Sequence, residues 1–268
     1  MNKIFGFIGV GNMGGALARA ACRSAGAGNV WVTDLMREKA EALATSYGCK
    51  AVNAEEIAAS ADYVFLGAKP QAMGALLEEI RPVLDARESR FVLVSMAAGL
   101  AISRIEELAK SLYPVIRIMP NIPASVGEGM ILYTANHQVT EPELEAFADG
   151  MRSAGLLDRI EEKWIDAASA ISGCGPAFVY LFLEALADGG VECGLPYEKA
   201  LQYAAQTVAG SARMVLNGDR HPEALKNAVC SPGGTTIAGV HVLESGAFRA
   251  LAMDAVCAAY QKTLQMGK

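Results

Sequence analysis

Gly9-Val10-Gly11-Asn12-Met13-Gly14 is the stretch that decides the fold. It fits Gly-x-Gly-x-x-Gly, it follows a short apolar run at residues 4–8, and it opens a helical pattern at 12–25 rich in Ala and Leu. The spacing has a physical reason. Gly9 permits the tight turn, Gly11 has no side chain to hold a pyrophosphate off the backbone, and Gly14 lets the helix lie close to the strand. Free N–H groups and a partial positive charge at the helix start serve an anion without a lysine. In this strand-to-helix context the loop reads as dinucleotide-binding, with Ile8, Asn12 and Met13 bordering the same turn. A turn that merely needs glycine flexibility is the weaker alternative.

Outward from the loop, the chain alternates. Apolar runs at 30–33, 63–66, 91–95 and 115–119 are separated by helical patterns at 37–47, 71–84 and 103–111. Strand, helix, strand implies a parallel sheet with right-handed crossovers, and runs apolar on both faces imply strands covered on both sides. Past Tyr133 the strand signals fade. Residues 143–153 read as helix, 156–161 offer one last strand, and from Trp164 onward the text is nearly all helix, at 164–171, 176–192, 197–217, 222–229, 236–245 and 246–266. The expected architecture is α/β: an N-terminal Rossmann-like domain with a mostly parallel, doubly wound sheet (1–161), then an all-α C-terminal domain (162–268).

The first domain offers further coenzyme contacts. Asp34 ends the second strand twenty residues beyond Gly14, where an acidic group binds ribose hydroxyls and favours NAD over NADP. Arg37 lies close enough in sequence to meet a 2′-phosphate instead, Asn53 offers a neutral donor, and a plain helix N-cap is the bland role for Asp34. Coenzyme choice stays open on spacing alone. At other strand ends, Ala68-Lys69-Pro70 and Ala97-Ala98-Gly99 provide small residues over which a dinucleotide can lie. Lys69 reads equally as a ribose or pyrophosphate contact and as a solvated charge before a proline.

Composition narrows the partners. The 268 residues allow two ordinary domains. A net charge of -6 argues against nonspecific nucleic-acid or anionic-membrane binding, so an anionic ligand must be held by local groups. The six cysteines form no CxxC pair and no zinc spacing, and read as small buried thiols in a reducing cytosol; no metal is expected. The start of the chain has no signal-peptide pattern, and the apolar stretches look broken short of the ~18 residues of a membrane helix, which suggests a cytoplasmic protein.

A second site stands out in the helical half: Cys230-Ser231-Pro232-Gly233-Gly234-Thr235-Thr236. Ser231, Gly233, Gly234, Thr235 and Thr236 together make a cup of N–H groups and hydroxyls before a helix, suited to a small carboxylate. A capping turn with Thr235 or Thr236 as N-cap is the alternative, but it does not ask for two glycines.

With this block the chain resembles the pyrroline-5-carboxylate reductases. The resemblance is carried by His221-Pro222-Glu223-Ala224-Leu225-Lys226, by the 230–236 block, by Ser172-Gly173-Cys174-Gly175-Pro176-Ala177, and by the glycine loop, running in order over essentially the whole chain. It implies NAD(P)H-dependent reduction of 1-pyrroline-5-carboxylate to L-proline, with NADPH as the usual coenzyme and NADH open. It implies that the substrate carboxylate sits on residues 231–236, and that Thr236 hydrogen-bonds the ring nitrogen with Ser231 helping. Glu162 matches an acidic position near the substrate, and Ser169 a hydroxyl near the nicotinamide. It also implies a homodimer through the C-terminal helices, assembled into larger rings such as a decamer. Two positions depart from the pattern. Ile122 stands where the family commonly has Thr, and Asp34 where it has a small polar residue. A β-hydroxyacid dehydrogenase would share the first domain but needs a catalytic lysine on the 176–192 helix, which has none. A silent dinucleotide sensor would leave the 231–236 block unexplained.

Overall fold

The computed structural model describes residues 3–266, in two compact units: one ends at Gly173 and takes in the chain from Ala259 on, the other is Cys174–Ala258. The first is built on one eight-stranded sheet. Its strands are β1 (Phe5–Ile8), β2 (Val30–Thr33), β3 (Lys50–Ala51), β4 (Tyr63–Leu66), β5 (Val92–Ser95), β6 (Val115–Met119), β7 (Gly129–Ala135) and β8 (Gly155–Arg159), in the order β3-β2-β1-β4-β5-β6-β7-β8. Every neighbouring pair is parallel except β6 and β7. The connecting helices are α1 (Asn12–Ala21), α2 (Arg37–Tyr47), α3 (Ala54–Ser60), α4 (Met73–Asp85), α5 (Ile102–Ala109) and α6 (Glu141–Met151), followed by α7 (Glu162–Ser172). The mostly parallel, doubly wound arrangement is the one the alternating pattern implies.

Successive side chains on the central strands point to opposite faces and bury on both. Phe5, Phe7 and Phe65 join Phe147 on one face, while Ile8, Val64 and Leu66 join Ile57, Leu77 and Ile80 on the other. Phe7 stacks on Phe65 with ring centroids 4.2 Å apart. Because β1 pairs with β2 on one side and β4 on the other, the crossovers leave in opposite directions. This opens a crevice at the C-terminal ends of β1 and β4, the usual ligand edge of such a sheet.

Two differences from the sequence reading have local causes. The expected helix 12–25 stops at Ala21 and passes through a π-helical turn, Cys22–Gly26, that ends at Gly26 with φ +88. Strand β7 went unread: it returns antiparallel to β6 after the stiff Met119-Pro120-Asn121-Ile122-Pro123 stretch, with Gly127 (φ +82) at the turn. By packing, α7 groups with the sheet unit, which runs to Gly173. Ile165, Ser169 and Ala170 of α7 are buried, and Arg117 of β6, only 3% exposed, pairs with Glu162 at 3.2 Å and Asp166 at 2.6 Å. Removing the guanidinium leaves two carboxylates facing each other without a cation. Since both are about a third exposed, water offsets part of the loss, and Arg117→Leu is expected to cost about 2 kcal/mol in urea unfolding. A variant as stable as the parent would show that these pairs do not hold α7.

The second unit holds α8 (Gly175–Glu192), α9 (Tyr197–Leu216), α10 (Pro222–Val229), α11 (Thr235–Ser245) and the start of α12 (Phe248–Met266). Helices α8 and α9 form a hairpin turned at Gly194, φ +96, and Gly190 lets Ala200 approach to 2.8 Å of where a β-carbon would stand. Only Ala187, Ala200 and Ala204 are buried in this unit, while Tyr180, Leu181, Tyr203, Met214, Val242, Leu251 and Met253 are more than half exposed. The stretch Glu162–Glu192 is long and apolar enough to cross a membrane, and its most apolar 18-residue window is only 11% buried, which corrects the expectation that apolar runs break early. The thiols need a similar correction: Cys49 is buried, Cys193 and Cys257 are exposed, and all six are free.

Candidate functional site

The crevice at the β1 and β4 ends contains a cavity of about 690 Å3, lined by Ile8, Gly9, Thr33, Asp34, Leu35, Ala54, Gly67, Ala68, Lys69, Ala72, Ala75, Leu76 and Glu79. Glycines shape it. Gly9 has φ +98, and a β-carbon there would stand 2.9 Å from the Gly67 carbonyl oxygen; one on Gly67 would stand 2.5 Å from the Gly9 oxygen. The two backbones thus pass in contact above the strand ends. Gly67 opens the Gly67-Ala68-Lys69-Pro70 loop, and its constraint comes from Gly9, 58 residues earlier.

The three loop glycines do different things. A β-carbon on Gly14 would fall 2.0 Å from the Gly9 carbonyl oxygen, so that position is closed by the protein's own backbone. Gly14→Ala is accordingly expected to destabilise the ligand-free protein by about 3 kcal/mol, read as a lowered Tm. An unchanged Tm would mean that the loop relaxes freely. Gly11 is the opposite case. It is the N-cap of α1 with φ −61 and ψ −162, a conformation open to any residue, and a β-carbon there meets nothing within 4 Å. The protein itself does not require glycine at this position. The first turn of α1 has no acidic residue and no side-chain cap, so its N–H groups, those of Asn12 and Met13 included, face an empty approach beside Gly11.

Asp34 is tied into the loop. Its Oδ2 accepts the Val10 N–H at 2.8 Å and its Oδ1 the Met36 N–H at 3.0 Å. Arg37 instead pairs with Glu41 along its own helix, at 2.7 Å, and does not line the cavity. Asn53 is the N-cap of α3: its Oδ1 accepts the Glu56 N–H at 2.7 Å, so the carbonyl side is committed to the helix. Lys69 is exposed on the cavity wall, and Pro70 opens the short 3-10 turn Pro70–Ala72 that leads into α4. At the end of β5, Ala97 is buried and Ala98 exposed, and neither lines this cavity.

On α7, Glu162 Oε1 accepts the Ile102 N–H at 2.7 Å, so the carboxylate caps the start of α5 while pairing with Arg117. Ser169 is 5% exposed and donates its hydroxyl to the Asp166 carbonyl at 2.8 Å. Asn121 joins three elements: its Nδ2 donates to the Ser172 carbonyl at 2.8 Å and its Oδ1 accepts the Met130 N–H at 2.9 Å. This fixes the proline-flanked loop against α7 and β7, with Ile122 59% exposed beside it.

In the second unit, residues 231–236 form a tight turn into α11. Gly233 has φ +67, the Gly234 N–H donates to the Ser231 carbonyl at 3.1 Å, and a β-carbon on Gly234 would stand 2.3 Å from Ser231 Oγ. Gly233 thus has the left-handed backbone that favours glycine, while a side chain on Gly234 would displace the Ser231 hydroxyl. The N-cap of α11 is Gly234, without any side-chain cap, so Thr235 and Thr236 sit in the first helical turn and do not cap it. Among the described residues neither threonine hydroxyl has a hydrogen-bond partner. The result is a helix start with open N–H groups and free hydroxyls, a surface that suits a carboxylate. His221, by contrast, caps α10 through Nδ1, which accepts the Glu223 N–H at 3.2 Å.

Comparison with known proteins agrees with both halves. Residues 162–266 match the family model described as pyrroline-5-carboxylate reductase dimerisation, and residues 4–99 that described as NADP oxidoreductase, coenzyme F420-dependent. The chain is 39% identical to the pyrroline-5-carboxylate reductase of Escherichia coli (strain K12), over 100% of both. Among solved structures it resembles that of a Coxiella burnetii pyrroline-5-carboxylate reductase, with a TM-score of 0.91 and 31% identity over 100% of both chains. It also resembles the Plasmodium falciparum pyrroline carboxylate reductase solved with NADP bound, with a TM-score of 0.86 and 35% identity over 100% of this chain and 99% of that one.

Proposed function

This chain belongs to the pyrroline-5-carboxylate reductase family, and on that premise we propose a division of labour between its glycine loop and its 231–236 turn. The reaction is reduction of the C=N bond of 1-pyrroline-5-carboxylate to L-proline by NAD(P)H, with NADPH the usual coenzyme. The observation that carries the assignment is the uncapped start of α11, where neither threonine hydroxyl has a partner among the described residues.

Reduced nicotinamide supplies the hydride when bound. The protein's share is position, because a protonated cyclic imine is already electrophilic at the carbon beside nitrogen and needs neither metal nor covalent nucleophile. Ile8, Gly9, Gly11, Asn12, Met13 and Gly14 take the pyrophosphate, Asp34 and Asn53 the adenosine side, Ala68, Lys69 and Pro70 the bridging part, and Ala97, Ala98 and Ser169 the nicotinamide side. Ser231, Gly233, Gly234 and Thr235 hold the substrate carboxylate. Thr236 holds the ring nitrogen or a water beside it. A threonine hydroxyl is a poor acid, so it orients the incoming proton more than it donates one. Glu162, fixed on Oε1, offers its other oxygen to the cationic side of the substrate.

The exposed apolar faces of the second unit support burial against a second copy of the chain, with dimers assembling into larger rings such as a decamer. Six unpaired thiols fit a reducing cytoplasm. The test is direct. Adding 1-pyrroline-5-carboxylate to protein and NADPH should consume the reduced coenzyme and yield proline one for one. Binding of dinucleotide with no turnover would favour a sensor.

A further inference from the structure

The adenosine end of the cavity carries an unusual charge balance. Asp34 and Glu79 are both on its wall, and Lys69 is the one cation among the lining residues. The Asp34 carboxylate is held in place by the Val10 and Met36 N–H groups, one on each oxygen. Each carboxylate oxygen accepts more than one hydrogen bond, so both retain capacity for ribose hydroxyls. Arg37, the cation that the sequence offers for a 2′-phosphate, is turned along its helix to Glu41. An adenosine 2′-phosphate brings about two negative charges to this wall, whereas a 2′-hydroxyl brings a donor that a carboxylate accepts.

We propose that Asp34, seconded by Glu79, sets coenzyme selectivity in this chain: it draws in the free ribose of NADH and repels the 2′-phosphate of NADPH, so that NADH competes with NADPH. The proposal rests on the dinucleotide reading of the glycine loop. It differs from a purely structural role, in which Asp34 only braces Val10 and Met36 and serves both coenzymes equally.

The test is calorimetric titration of the full-length assembled protein with NAD+ and NADP+, at low and high salt. Asp34→Asn keeps an acceptor oxygen for the loop while removing the charge, and should shift the affinity ratio toward NADP+ by about tenfold. Glu79→Gln leaves the loop untouched and should shift it the same way by about threefold. In the parent protein, high salt should raise the affinity for NADP+ relative to NAD+. An affinity ratio unchanged within about twofold in both variants, or equal losses for both coenzymes in Asp34→Asn, would overturn the selectivity role and leave the glycine-loop reading intact. Failure of the parent protein to bind either dinucleotide would overturn that reading and the proposal with it.

Discussion

Gly11→Val is expected to abolish dinucleotide binding while leaving the fold untouched. A β-carbon at Gly11 meets no protein atom within 4 Å, and the backbone angles there suit any residue. A valine therefore costs the ligand-free protein little, and Tm should stay within a degree or two, as for a surface change of about 0.5 kcal/mol. The same open volume is where a pyrophosphate must lie to reach the N–H groups at the start of α1. Branched methyl groups there hold the anion off the helix, and affinity for NAD+ and NADP+ should fall by about a hundredfold or more, since several charge-assisted hydrogen bonds are lost together. Calorimetry and thermal unfolding on one preparation separate the two effects. A variant that unfolds early, or one that binds normally, would contradict the assignment. Gly14→Ala is the useful contrast, because there the clash is with the Gly9 carbonyl and the loss should be of stability first.

Thr236→Ala is expected to lower kcat by about a hundredfold with coenzyme affinity unchanged. Thr236 lies in the first turn of α11, half-buried, with a hydroxyl that has no hydrogen-bond partner among the described residues. Loss of that hydroxyl should leave the helix in place, since Gly234 and not Thr236 is its N-cap. Thr236→Ser keeps the hydroxyl and should recover most of the rate. A purely packing role for the side chain would produce the reverse pattern, with serine as poor as alanine. Full activity in Thr236→Ala would remove the hydroxyl from the mechanism.

What could be read from the residues alone was what depends on near neighbours. The strand, glycine loop and helix from Phe5 to Ala21 are encoded by an apolar run and three spaced glycines, and the structure has them in that order. The 231–236 turn was legible for the same reason, since Gly233 serves its own left-handed backbone and Gly234 faces Ser231 three residues away. Positions whose partners lie far off in sequence were not legible. Gly67 is glycine because Gly9 faces it, Glu162 caps α5 sixty residues earlier, and Asn121 joins Ser172 to Met130. Strand β7 was missed because it pairs antiparallel at one flank of the sheet, where half-buried positions blur the apolar signal. That α7 packs on the sheet was not legible either, because Arg117 carries no mark in sequence that its partners Glu162 and Asp166 sit on α7.

Hydride transfer demands that the nicotinamide carbon and the substrate's ring carbon touch. The most direct test is therefore a crystal structure of the assembled protein with NADP+ and L-proline bound together. The account predicts the proline carboxylate on the N–H groups of residues 231–236, its nitrogen beside Thr236, and its ring carbon about 3.5 Å from the nicotinamide. Proline bound away from that turn, or out of reach of the nicotinamide, would contradict it.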